Sequence, residues 1–309
     1  MLSLTIKDNF MRTFNVFFMT ALCGVLTLSS CSEEVKNPAD ETVYAPVRVQ
    51  VDEFSVSMED FPRTRAVQTL DEYGYVGAIT LAFYDANGTE VVKTTQLKSD
   101  PSQYTTYGEF AFTLPVGSYT LVAVGYGFND GDAFSLTSPT AAAFTSSLAR
   151  ETFCATQSVT VTSAAPLDLS ITLNRVNSYV AVLSTDQCPA GAVKVSTTFG
   201  AGSKAFSPTT GLATDDLGFS VSNSLSASAG KTININNCVF LSADEQEMDI
   251  TLQVLDGEDN VLVSKVIQDV PMKRNRVTIL KGALFTPSSP SNASFTIETG
   301  RVQSVTVNF

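Results

Sequence analysis

The chain has 309 residues, of which 44% are hydrophobic and 16% charged, and its formal net charge is −12. This composition excludes disorder as the main state, because the chain has ample apolar material for a buried core. The negative charge argues against a nucleic-acid partner, and the absence of histidine removes Ser-His-Asp and Cys-His catalysis and imidazole metal sites. We therefore expect no enzyme, no cofactor and no metal.

The N-terminal segment has the layout of a secretory signal peptide. Lys7 and Arg12 precede an apolar run over residues 14–28. The run is too short for a membrane-spanning helix, and small residues follow it as they do at a cleavage site. Translation could start at Met1 or at Met11, since Arg12 alone would supply the basic region.

The apolar run ends at Leu28-Ser29-Ser30-Cys31, which resembles the bacterial lipoprotein box. The resemblance implies that residues 1–30 are removed and that lipid on Cys31 holds the chain to the outer membrane. An ordinary signal peptide with an incidental cysteine is the alternative. Ser32-Glu33-Glu34 resembles a lipoprotein surface-export signal, or is a solvated acidic tether, and we take residues 31–46 as the tether.

The first half of the remaining chain has the pattern of β-strands. Val47, Val49 and Val51 alternate with polar residues, which places apolar side chains on one face. Asn87-Gly88 predicts a tight hairpin. Pro115-Val116-Gly117 predicts another hairpin, between strands over residues 110–114 and 119–124.

Residues 128–156 are the least regular stretch of the chain. A short helix over residues 141–148 is one interpretation, but the many Ser, Thr and Pro residues around it favour a long loop. Strand patterns resume afterwards and continue to the C-terminus.

Short strands separated by turn signals predict an all-β protein, and the length suggests two tandem β-sandwich domains. We place an N-terminal domain at residues 47–178 and a C-terminal domain at residues 179–309. The boundary is drawn near residues 175–184, where an alternating apolar run ends.

Three cysteines remain after the signal peptide and the lipidated position, namely Cys154, Cys188 and Cys238. At most one pair can form within the chain, and Cys188–Cys238 is the more natural pair because both lie in the second half. Three buried thiols that pack as small hydrophobic side chains are the alternative. No Cys-x-x-Cys spacing is present, which argues against a zinc site.

Several motifs together resemble the fimbrillin-like family, the subunits and anchors of type V pili. The motifs occur in the family's order and are Ile79-Thr80-Leu81-Ala82-Phe83-Tyr84-Asp85, Leu114-Pro115-Val116-Gly117-Ser118-Tyr119, Leu173-Asn174-Arg175-Val176 and Val270-Pro271-Met272-Lys273-Arg274-Asn275-Arg276-Val277-Thr278-Ile279-Leu280-Lys281-Gly282. The resemblance implies two transthyretin-like β-sandwich domains. It also implies a structural or adhesive fimbrial component whose partners are other fimbrial subunits, and which supports cell adhesion and biofilm formation.

Arg63-Thr64-Arg65-Ala66 is the segment that the resemblance marks for processing. It implies that an Arg-directed protease cuts between Arg65 and Ala66 and frees the first strand. A neighbouring subunit would then fill the vacated groove by β-strand addition. The alternating side chains Val305, Val307 and Phe309 make the C-terminus a candidate donor strand, although in an anchor subunit the arginines could stay uncut in an exposed loop.

A surface glycan-binding lipoprotein is the alternative function. The absence of tryptophan weakens this reading without excluding Tyr or Phe platforms. The sequence assigns neither the position in a pilus (shaft, tip or anchor) nor the receptor that would be bound.

Overall fold

The computed structural model describes residues 42–56, 66–70, 73–129, 133–146, 148–287 and 295–301. This part of the chain is built from β-strands and one 3-10 turn at Pro101–Gln103, with no α-helix in the described ranges. The predicted all-β fold is therefore confirmed.

The first half of the described chain contains ten strands. They are β1 (Tyr44–Val56), β2 (Ala66–Thr69), β3 (Ala78–Tyr84), β4 (Glu90–Leu97), β5 (Glu109–Pro115), β6 (Gly117–Tyr126), β7 (Phe134–Ser138), β8 (Ala141–Phe144), β9 (Thr152–Val161) and β10 (Leu167–Arg175). The second half contains nine. They are β11 (Ser178–Ser184), β12 (Lys194–Phe199), β13 (Ala205–Phe206), β14 (Phe219–Ser224), β15 (Asn234–Val239), β16 (Glu245–Leu255), β17 (Val261–Lys273), β18 (Arg276–Gly282) and β19 (Phe295–Arg301).

The main strands of the first half form two facing layers. One layer contains β5, β1 and β10, and the other has the order β9-β6-β3-β4. Strands β10 and β9 pair only at Asn174 and Arg175, so the two layers are joined at one corner. Side chains of both layers share one core, which contains Val47 and Val49 from β1 and Leu81 from β3. Two sheets packed in this way make a β-sandwich.

The second half repeats this connectivity. Its first strand, β11, pairs in parallel with β18 and antiparallel with β15, as β1 does with β10 and β5. Its second layer has the order β17-β16-β12-β14, which matches β9-β6-β3-β4 strand for strand. The second half also has its own core, with Val195, Ile250 and Leu280 among its members. The division into domains at residues 178 and 179 stays a prediction.

A third apolar cluster joins the two halves. Strand β3 is buried on both faces, because Ile79 and Leu81 point into the first core while Ala82 points the other way. On that other side, residues of the second half such as Phe206 and Phe240 complete the cluster. The rings of these two phenylalanines stack with their centroids 4.5 Å apart. Part of the contact between the halves is therefore a packed apolar cluster.

The hairpin predicted at Asn87-Gly88 is confirmed. Gly88 has a φ of 77°, and the amide of Asp85 donates to the carbonyl of Thr89 at 2.9 Å. The positive φ is the reason that glycine suits this position.

The hairpin predicted at Pro115-Val116-Gly117 is wrong. Strand β5 pairs with β1, and β6 pairs with β3 and β9, so the chain crosses from one layer to the other at Val116. The Val116 amide donates to the carbonyl of Val43 at 2.8 Å, which extends the pairing of β5 with β1 to the crossing point.

The long loop expected over residues 128–156 is also wrong, as is the alternative of a helix there. Strands β7 and β8 pair as a short hairpin, and β9 begins at Thr152. Leu136, Ala142 and Phe144 are buried in the cluster that joins the two halves. The reason for the strands is tertiary, because residues of the second half, far away in the sequence, bury one face of the hairpin.

Candidate functional site

Strand β1 lies inside its layer and is hydrogen-bonded along both edges. It pairs in parallel with residues 167–174 of β10 and antiparallel with residues 109–115 of β5. Taking β1 away would leave the facing edges of β5 and β10 without partners for their backbone groups.

The inward side chains of β1 form part of the first core. They are at most 1% exposed and comprise Ala45, Val47, Val49, Val51 and Phe54. Arg48, Gln50 and Asp52, which alternate with the valines, are exposed. The predicted period-2 pattern is confirmed. Full burial of one valine contributes about 1.5–3 kcal/mol, so β1 is a substantial part of this core.

The groove that holds β1 is apolar. Strand β5 supplies Phe110, Phe112 and Leu114 to the same core, and β10 supplies Ile171 and Leu173. Without β1 this lining would face water. The groove therefore requires an extended segment with apolar residues at every second position.

Phe54 anchors the end of β1. Its ring packs 4.9 Å from that of Phe153 and 5.5 Å from that of Tyr73. Gly125 of β6 makes room for it, because a Cβ at that position would lie 2.7 Å from the Phe54 ring.

The predicted processing site lies on the connection that follows β1. Strand β2 begins at Ala66, which pairs with Val56 at the end of β1. Among the described strands, β2 is bonded only to β1. Arg63 and Arg65 lie outside the described residues, and a cut after Arg65 would fall immediately before β2.

The other predicted site residues lie outside the described residues. Cys31 precedes them, and Val305, Val307 and Phe309 follow the last described strand. That strand, β19, pairs antiparallel with β18.

A buried polar cluster is the site that the sequence does not predict. Arg175 donates to the carboxylate of Glu151 at 2.5 Å, and their side chains are 2% and 10% exposed. Arg175 also donates to the Tyr73 hydroxyl at 2.6 Å and to Asn275 Oδ1 at 3.1 Å. The Tyr73 hydroxyl donates to Glu151 as well. The guanidinium lies over the ring of Phe153, 5.0 Å from its centroid.

This cluster brings two of the family-like motifs together. Arg175 ends β10 in the first half, and Asn275 is the turn residue between β17 and β18 in the second half, with a φ of 58°. Burial, followed by the charge of Glu151, raises the pKa of Tyr73, so its hydroxyl stays protonated and donates. The arrangement holds the ends of the two halves in register and contains no nucleophile–base pair.

The cysteine pairing Cys188–Cys238 is contradicted. Cys154, Cys188 and Cys238 are all free and buried. Burial raises the pKa of each thiol, so they behave as small apolar side chains, which is the alternative that the sequence left open.

The charged side chains at the start of β16 and the end of β17 form ordinary surface pairs. Lys273 bonds to Glu245 and Arg274 to Asp244, each at 2.7 Å. Within the described residues no group of three or more acidic or cysteine side chains is placed to hold a metal. The same part of the chain contains no helix long and apolar enough to cross a membrane.

Solved structures of similar shape include two fimbrial proteins of Porphyromonas gingivalis. The anchor protein Mfa2 is 12% identical, with 77% of this chain and 90% of that chain covered and a TM-score of 0.46. The tip protein Mfa3, with a C-terminal truncation, is 11% identical, with 84% and 99% covered and a TM-score of 0.38.

A protein of Bacteroides thetaiotaomicron, provisionally described as polysaccharide-binding, is 12% identical, with 84% and 99% covered and a TM-score of 0.48. Fimbrial proteins are thus among the solved structures to which this chain is similar. No curated protein matches the sequence significantly. The model of a family described as being of unknown function, DUF6562, matches residues 45–301.

Proposed function

The chain belongs to DUF6562, a family of unknown function, and we propose that it is a structural and adhesive subunit of a bacterial fimbrium. Its partners are other fimbrial subunits, joined to it by β-strand exchange, and its role is cell adhesion and biofilm formation. Until the cut after Arg65, a lipid on Cys31 would hold it to the outer membrane, exposed at the cell surface. The proposal involves no catalysis.

The placement of β1 is the observation that carries this proposal. The strand is central, apolar on its inner face and bonded on both edges, and the Arg-Thr-Arg segment begins at Arg63, shortly after the strand ends at Val56. One cut after Arg65 would turn β1 into a separate strand, held by pairing and packing alone. Few places in a sandwich would yield a continuous acceptor groove after a single cut.

The C-terminus has the pattern that the groove requires. Val305, Val307 and Phe309 alternate with polar residues, so that one face of the segment is apolar when it is extended. In the groove these three side chains would replace the valines of β1. Slipping by one residue would turn them towards water, so the pattern also sets the register.

Cleavage after Arg65 should convert soluble monomers into polymers. Trypsin treatment of the purified protein should yield a chain that starts at Ala66, and light scattering should then show species larger than one subunit. The double variant Arg63→Ala/Arg65→Ala should stay uncut and monomeric under the same treatment. Polymers that form without cleavage, or monomers that persist after complete cleavage, would contradict the proposal.

Replacing Cys31 with alanine should abolish lipid attachment. In cells supplied with a labelled fatty acid, the protein without a substitution should carry the label and sediment with the outer membrane. The variant Cys31→Ala should be unlabelled and absent from that fraction. The variant Cys23→Ala is the matched control, because Cys23 lies within the segment expected to be removed. Labelling that persists in Cys31→Ala would refute the lipid anchor.

A further inference from the structure

A cavity of about 490 Å³ lies between the two halves of the chain. One wall belongs to the second half and is made by β11, β14 and β15. The other wall belongs to the first half and is made by the segments 74–77, 127–129 and 148–151. This volume lies within the range of small-molecule sites in proteins.

The wall from the second half is polar where a packed strand would be apolar. Ile235 and Val239 of β15 point into the core of the second half. Side chains alternate along a strand, so Asn234 and Asn236 are turned to the opposite side, and both line the cavity, as do Ile235 and Asn237. Asn223 on β14 lines the same cavity.

Two of these asparagines have unmet hydrogen-bonding capacity. The side-chain oxygens of Asn223 and Asn236 are shielded from solvent, and within the described residues neither has a hydrogen-bond partner. Leaving a buried polar atom unpaired costs about 1–3 kcal/mol. Turning either amide by half a rotation about its Cβ–Cγ bond would exchange donor and acceptor. The half-turn would move each shielded oxygen to the place that the amide nitrogen now holds, and a ligand hydroxyl can pair with either atom there, because it both donates and accepts.

The wall from the first half is partly aromatic. Tyr75 and Phe128 are half-buried and line the cavity. The Tyr75 ring meets the ring of Tyr73 edge to face, with centroids 5.7 Å apart, and Tyr73 is held by the Arg175 cluster. The Tyr75 ring is thereby held in place where the residue borders both the first core and the cavity. Sugar rings present apolar C–H faces that suit such a surface.

The cavity carries no net charge from its ionisable side chains. Arg150 and Glu151 supply one charge of each sign, and the Glu151 carboxylate is bonded to Arg175. Burial raises the pKa of Tyr179 and of Cys238, which keeps both neutral. A neutral ligand fits this balance better than an anion or a cation.

From these observations we infer that the cavity binds a neutral, hydroxyl-rich ligand of the saccharide class. Asn223 and Asn236 would bond its hydroxyl groups, and Tyr75 and Phe128 would contact its ring. This site is separate from the β1 groove and does not depend on strand exchange.

Saturation-transfer NMR on the full-length protein tests this inference, with maltohexaose, mannohexaose and chitohexaose as probes. At least one should bind, with a dissociation constant of about 1 mM or lower. The variants Asn223→Leu and Asn236→Leu should weaken that binding at least about tenfold. Asn174→Leu, on an exposed position of β10 outside the cavity, should leave it unchanged.

A second measurement needs no variant. In protein labelled with ¹⁵N-asparagine, the bound probe should shift the side-chain amide signals of Asn223 and Asn236, which excludes misfolding of a variant as the cause of lost binding. Absence of binding by all three probes would overturn the inference. Binding that shifts other asparagines, or that both leucine variants retain, would overturn it as well.

Discussion

Replacing Arg175 with methionine should lower the free energy of unfolding by about 3–5 kcal/mol. The substitution leaves the Glu151 carboxylate buried without its cation, and it removes the donor to Tyr73 and Asn275. Methionine keeps much of the apolar contact with Phe153, so most of the loss should be electrostatic. Urea denaturation of the full-length protein, followed by far-ultraviolet circular dichroism, measures the effect.

Two further variants separate this explanation from simple loss of packing. The double variant Arg175→Met/Glu151→Gln should recover part of the loss, because it removes the stranded charge. Lys273→Met breaks the exposed pair with Glu245, whose side chains are 43% and 70% exposed, and should cost no more than about 1 kcal/mol. The role of the buried pair would be contradicted if Arg175→Met lowered the free energy of unfolding no more than Lys273→Met does. It would also be contradicted if the double variant recovered none of the loss.

Replacing Val307 with aspartate should weaken subunit joining at least about tenfold in the protein cut after Arg65. The valine would be buried in the groove, where it contributes about 1.5–3 kcal/mol, and a carboxylate there would also lose its hydration. A change of 1.4 kcal/mol corresponds to a factor of ten in the association constant. Sedimentation equilibrium of the cut protein measures this constant.

Thr306→Asp is the matched control for Val307→Asp. It introduces the same charge one residue away, on the face that would point to water, and should change the association constant by less than about threefold. Equal weakening by the two variants would show that this segment does not bind with the alternation proposed.

Local patterns predicted the features that depend on neighbouring residues. The alternation of Val47, Val49 and Val51 identified a half-buried strand, since side chains two residues apart share one face. Asn87-Gly88 identified a hairpin, since glycine there takes the positive φ that the turn requires.

Which strands pair with each other could not be predicted in the same way. Nothing in the sequence around Val116 shows that β5 pairs with β1 instead of β6, because strand pairing depends on the packing of distant segments. The hairpin of β7 and β8 was missed for a similar reason, as its apolar side chains are buried against residues of the second half.

The buried polar cluster was also beyond reach of the sequence. Arg175 and Asn275 are 100 residues apart, and Glu151 lies in the stretch that was expected to be a loop. The one available signal was that two motifs of the same family-like set contain Arg175 and Asn275. Their contact suggests that such motifs can mark structural junctions as well as sites of binding.

Photo-crosslinking from position 307 tests strand exchange most directly. The protein, with Val307 replaced by p-benzoylphenylalanine, is cut after Arg65, allowed to polymerise and irradiated, and mass spectrometry then identifies the crosslinked peptides. Isotope labelling of half the subunits distinguishes links between subunits from links within one. We predict links between subunits to residues 109–115 of β5 or 167–174 of β10, which line the groove of β1. Links confined to one subunit, or links between subunits at any other surface, would contradict strand exchange.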